Sequence, residues 1–176
     1  MDVSIHMSAA MHADILLHLF PKGDRREQGG FLFCSYDDET QIFNVREWLP
    51  LTSSDYASQE RDYLELCDTT RASLIKKAHD MDAALVEIHC HPGQQKVAFS
   101  LADWMGFKDF VPHIRWRLKG RPYAALVYGY QCIDGFAWID QQKLPINVTG
   151  INTGQAFHST TGNSMNALSR GFYEKI

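Results

Sequence analysis

The chain has 176 residues, 45% of them hydrophobic and 22% charged, and a net charge of -4. That length suits one compact domain with a full core, and the acidic balance argues against nucleic acid as the main partner. No apolar run approaches membrane-spanning length, and no Lys or Arg precedes Lys22, so neither a membrane partner nor a basic signal peptide is expected.

Met11, Ile15 and Leu19 recur every four residues, which predicts a first helix with Ser8 as N-cap and Pro21 beyond its end. "GGFLFCSY" and "QIFNVREWLPL" read as strands joined by a turn at "DDET". The pattern from Ser58 to about His79 reads as a second helix. "DAALVEIHCH" is a strand: Ala84, Val86, Ile88 and Cys90 share one side, and Leu85, Glu87, His89 and His91 the other. "PGQQKVAF" is a loop, after which Ser100 caps a helix beginning "LADWMGFKDF". "PYAALVYGYQCIDGFAWID" reads as a hairpin turning at Asp134-Gly135. From about Val148 the chain is rich in Gly, Ser, Thr and Asn and reads as a polar tail, either mobile or ordered only by a partner. The expected organisation is one α/β (α+β) domain over residues 1–147 and a tail over 148–176.

Cys34, Cys67, Cys90 and Cys132 include no C-x-x-C pair, which speaks against a Cys-rich zinc ribbon and for a reducing cytoplasm. The stronger metal signal is elsewhere. His89 and His91 leave one face of a rigid strand, and Asp103 lies one turn into the helix that Ser100 caps. Two His and one carboxylate, with a fourth position left to water, is the donor set of a catalytic zinc. Hydrolysis also needs a carboxylate to move protons and a donor for the developing oxyanion; Ser100 can be that donor. Taken singly, each feature has a plain reading, as a polar strand, a helix cap and a first-turn acid. Their combination favours a site.

These residues resemble the signature of the JAMM (JAB/MPN) metalloproteases: a distant Glu, then H-x-H-P, a short loop, and S-x-x-D. Here they are Glu27, "HCHP" from His89 and "SLAD" from Ser100; Gly30 and Leu32 in "EQGGFL" fit the context of the glutamate. The resemblance covers roughly residues 5–140. It implies a mixed, curved β-sheet flanked by helices, of the MPN/cytidine-deaminase-like type. It implies one Zn2+ held by His89, His91 and Asp103, Glu27 as general base and acid, and Ser100 at the oxyanion. It implies a substrate that is a ubiquitin-like protein or its conjugate, cut at the C-terminal tail, with E1-like or E2-like enzymes as possible companions and bacterial antiviral defence as one setting. Two departures stand out. The loop between His91 and Ser100 is one residue longer than is usual, and Cys90 replaces the usual Ser or Thr between the histidines.

Glu87 shares the face of His89 and His91 and is a rival base or a partner to an imidazole. Trp48 and Tyr56 are candidates for contact with the ubiquitin-like partner, with core packing the plainer role. The other six histidines and the basic stretch "RWRLKGR" read as packing or solvated surface. Besides deconjugation, three readings stay open: a peptidase trimming a sulfur-carrier protein, a metal-free MPN scaffold, and, last, a DNA-repair-associated relative.

Overall fold

The computed structural model describes residues 2–140 and 143–174. Strand β1 (Val3–His6) leads into helix α1 (Ala9–Leu19), and strands β2 (Gly29–Asp37) and β3 (Ile42–Pro50) follow. Ser8 caps α1 by accepting a hydrogen bond from Met11 N at 3.1 Å. The β2–β3 turn closes where Asp37 Oδ1 accepts from the backbone of Glu39 and Thr40, and Gln41 takes a φ of 58°.

After a 3-10 turn at Ser53–Asp55 come two short strands, β4 (Tyr56–Gln59) and β5 (Leu64–Leu66), paired antiparallel. Helix α2 runs only from Asp68 to Asp80. The helix expected from Ser58 is therefore half hairpin. Leu64, Cys67 and Leu74 fit a helical spacing, but Leu64 and Leu66 also alternate as strand residues do, and the pairing with Tyr56–Gln59 decides between the two.

Strand β6 (Ala84–Cys90) carries the two-sided pattern read from the sequence: Ala84, Val86, Ile88 and Cys90 join one core cluster and Leu85 the other. Helix α3 (Leu101–Arg117) follows, then β7 (Tyr123–Tyr128), β8 (Ile133–Trp138), β9 (Ile146–Asn152), β10 (Phe157–Ser159) and helix α4 (Asn163–Ser169). The turn between β7 and β8 lies at 129–132, and Asp134-Gly135 sits inside β8. A polar residue is tolerated there because Asp134 accepts backbone N–H groups from Gly162 at 2.9 Å and Ser164 at 2.7 Å. Gly135 is required by close packing: a Cβ there would come 2.8 Å from Leu126 Cδ2.

The strands run β1-β3-β2-β6-β7-β8-β9-β10, and β1 also pairs with β9. The expected mixed sheet is present, but it curls until seven strands close into a barrel, with β10 added outside. One cluster fills the interior, including Ile5, Leu32, Val86, Leu126 and Val148, together with Ile15 and Leu19 of α1. The second lies between the barrel wall and the outer helices, including Phe33, Leu85, Val127, Phe136, Leu74 and Ile114.

The boundary expected at 147/148 falls inside β9. Residues from Val148 to Glu174 are part of the fold rather than a tail: Val148 and Ile151 are fully buried, and Tyr173 is 1% exposed. Ser, Thr and Asn here serve as side-chain donors and acceptors to backbone, so their polarity reports bonding rather than solvation. Among the described residues no helix is long and apolar enough to cross a membrane.

Candidate metal centre and the clefts beside it

Four of the five residues singled out by the motif meet at one point. His89 Nε2 and His91 Nε2 are 3.2 Å apart. Asp103 places Oδ1 at 3.3 Å from the first and Oδ2 at 3.3 Å from the second. Glu27 Oε1 lies 3.4 Å from His91 Nε2, and Glu27, His89 and His91 each offer an atom within 4.8 Å of the others. Ligand atoms placed tetrahedrally at 2.0–2.1 Å from a zinc ion are about 3.3 Å apart. The donor set thus fits zinc in both chemistry and spacing.

Each side chain is delivered by a different device. His89 sits on β6 opposite Gly29 of β2 and Val127 of β7, so its backbone is fixed from both sides. His91 lies just beyond the strand, and its N–H donates to Tyr128 O at 2.8 Å. Asp103 belongs to a capping box. Its N–H donates to Ser100 Oγ at 3.1 Å, and its Oδ2 accepts from Ser100 N at 2.6 Å. Ser100 is thus a helix cap, as the plain reading expects, and it also lines a cleft with Glu27 and His91. Cys90 faces the interior, where its thiol donates to Leu19 O at 3.0 Å and accepts from Gln28 N at 3.3 Å.

The electrostatics are those of a buried, mutually supporting cluster. Burial works against ionising Asp103, but His89 and His91 beside it hold its carboxyl well below the usual range. Burial also opposes charge on His89, and Asp103, Glu27 and Glu87 overcome it and raise its affinity for a proton. Glu27 is 3% exposed, and burial pushes its carboxyl up to about 8 against the pull of His89. Glu87 is raised too, chiefly by burial.

Several residues that hold the site carry no motif. The β4–β5 hairpin grips Glu27 from both sides: Glu27 N donates to Glu60 O at 2.8 Å, and Gln59 Nε2 donates to Glu27 O at 2.9 Å. The alternation in "YASQ" and "LEL" was the available signal. The loop before Ser100 is braced by the C-terminal segment. Phe99 N donates to Ser164 Oγ at 2.9 Å, Tyr173 Oη donates to Phe99 O at 2.8 Å, and Asn163 Nδ2 donates to Val97 O at 3.1 Å. The extra loop residue is accommodated at 92–99, where Gly93 takes a φ of 87° and Cys132 bonds Gln95 O and Val97 N.

Two openings flank the cluster. One, of about 500 Å³, is polar and lined by Glu27, Glu60, Asp62, His91 and Ser100 among others. The other, of about 860 Å³, runs between the β4–β5 hairpin, α2 and α3, over apolar groups such as Phe31, Leu51, Leu66 and Phe107, and reaches His89 and Asp103. Tyr56 lines it, whereas Trp48 packs against the interior cluster and against His18.

No family model matches the chain, and no curated protein matches it. Among solved structures, it is similar to the solution structure of a Desulfitobacterium hafniense protein, a Northeast Structural Genomics Consortium target. The TM-score is 0.56 at 12% identity, over 81% of this chain and 88% of that one. The likeness is one of fold.

Proposed function

We propose that this chain is a zinc-dependent peptidase or isopeptidase of the JAMM type, acting at the C-terminal tail of a ubiquitin-like protein. One observation carries the reading. His89, His91 and Asp103, from two separate segments, converge at the spacing of zinc ligands, with Glu27 3.4 Å from His91 and Ser100 beside them. The JAB/MPN fold assignment is part of the same proposal, with the closed barrel as this chain's form of the sheet.

When bound, zinc lowers the pKa of a water to roughly 7 and polarises a carbonyl. His89, His91 and Asp103 would hold it. Glu27, buried beside His91, would take a proton at its carboxylate and return it to the leaving amine. The Ser100 hydroxyl has no acceptor among the described residues, so its hydrogen is free to meet a developing oxyanion. The larger groove has the apolar floor and the length to take an extended tail, and the smaller, acidic cleft lies on the Glu27 side, where an amine would leave.

Glu27→Gln is the deciding variant. As a base, Glu27 is needed for cleavage of a C-terminally extended or lysine-linked ubiquitin-like substrate and is not needed for zinc, so the variant keeps one zinc per chain and loses cleavage. Loss of zinc in that variant would make Glu27 a ligand and overturn the assignment.

A further inference from the structure

Glu87 and Tyr123 take no part in the chemistry above. Glu87 is on the metal side of β6, two residues before His89, in a run otherwise made of Leu85 and buried apolar neighbours. Among the described residues no Lys or Arg lies within 4.0 Å of its carboxylate. A half-buried carboxylate without a cation, here 23% exposed, is costly unless something else in the fold uses it. Among the described residues its direct polar contacts are with Tyr123 and His89. Tyr123 stands opposite Leu85 on β7, is 1% exposed, and donates its hydroxyl to Glu87 Oε2 at 2.5 Å. That hydrogen bond leaves Oε1 facing His89, 3.9 Å from Nδ1.

We infer that Tyr123 and Glu87 form a positioning pair for His89. This rests on the zinc reading. An imidazole that offers Nε2 to a metal carries its proton on Nδ1, and a carboxylate facing Nδ1 fixes that tautomer, sets the ring's angle and makes Nε2 a better donor. At 3.9 Å the contact exceeds hydrogen-bond length and acts through charge. Tyr123 keeps the carboxylate from swinging into the adjacent groove, which Glu87 also lines. Asp103 and Glu27 act on the Nε2 side of the histidines, so Glu87 is the acidic group on the other side of His89.

The test is Zn2+ affinity of the full chain, measured by competition with a chromophoric chelator. The variants are Glu87→Gln, Tyr123→Phe and the two combined. Glu87→Gln keeps the shape, removes the charge, and should weaken zinc binding about 10- to 100-fold. Tyr123→Phe should weaken it less, and the double variant should be no weaker than Glu87→Gln alone, because the hydroxyl acts only through the carboxylate. Melting of the zinc-free proteins and visible spectra of the Co2+-loaded ones separate positioning from stability. Positioning shifts the Co2+ bands with no fall in zinc-free melting temperature. A purely structural role lowers melting and leaves the bands in place, which would overturn the inference. So would a Glu87→Gln protein with wild-type affinity, or, should that variant not fold, a Tyr123→Phe protein with wild-type affinity and bands. A wild type that takes up no zinc would instead overturn the zinc reading beneath it.

Discussion

The two halves of the candidate metal centre are held by different kinds of structure. His89 rides on β6, paired along its length with β2 and β7, so its position follows from strand register. Asp103 and Ser100 begin α3 after a loop that belongs to no sheet. That loop is fastened by side chains from α4 and the turn at Phe172–Glu174, more than sixty residues further along the chain. A ladder of backbone bonds tolerates sequence change; a brace built from a few side chains does not. The strand half should therefore fail only when a ligand, or the Tyr123–Glu87 pair that faces His89, is changed, and the helix half should fail at a distance.

Removing a ligand has the largest effect. His89→Ala and His91→Ala should each leave a folded protein without stoichiometric zinc, read by metal analysis of protein purified without added metal. The β6 backbone pairs survive either change, so circular dichroism of both variants should match the wild type.

Next is Asp134, remote from the metal. It is fully buried and accepts two backbone N–H groups at the start of α4. Asp134→Asn keeps the shape, turns one acceptor into a donor and should cost about 2–3 kcal/mol. At about 2–4 °C per kcal/mol for a chain of this size, melting should fall by about 4–12 °C. Zinc affinity should fall as well, because α4 carries Ser164, which holds Phe99 next to Ser100. An Asp134→Asn protein that melts early yet binds zinc normally would show that the brace stabilises the barrel without aligning Asp103.

Tyr173→Phe tests one bond of that brace. It removes the donor to Phe99 O and leaves the stack on Trp104, at 5.0 Å between ring centroids. The expected loss is about 1 kcal/mol, or about 2–4 °C in melting temperature.

The same contrast explains what could be read from the sequence. The faces of β6 were legible because alternation is local: Val86, Ile88 and Cys90 point inward and Glu87 and His89 outward, and no distant contact changes that. Ser100 and Asp103 were legible because a capping box spans three residues. The barrel's closure was not legible. It depends on β1, only four residues long, finding β9 in a segment whose Thr and Asn suggested solvent. Asp134-Gly135 looked like a turn because the partners that satisfy Asp134 lie 28 and 30 residues away. The hairpin that grips Glu27 was hidden for the converse reason: two strands of four and three residues leave too short a pattern to outweigh a helical one.

The smallest change in stability gives the sharpest division of roles at Ser100. The residue caps α3 through Oγ and stands in the cleft with Glu27, so Ser100→Ala would confuse a lost cap with a lost donor. Glycine is a tolerated N-cap, and Ser100→Gly should cost only a few tenths of a kcal/mol. The Oδ2 of Asp103 can still accept from the backbone N–H of residue 100, so the carboxylate stays beside both imidazoles. Zinc content should be unchanged. If the hydroxyl meets the oxyanion, cleavage should slow about 10²–10³-fold, the scale measured for removal of one such donor. A Ser100→Gly protein that keeps its zinc and its full cleavage rate would reduce Ser100 to a helix cap and leave the oxyanion to the metal alone.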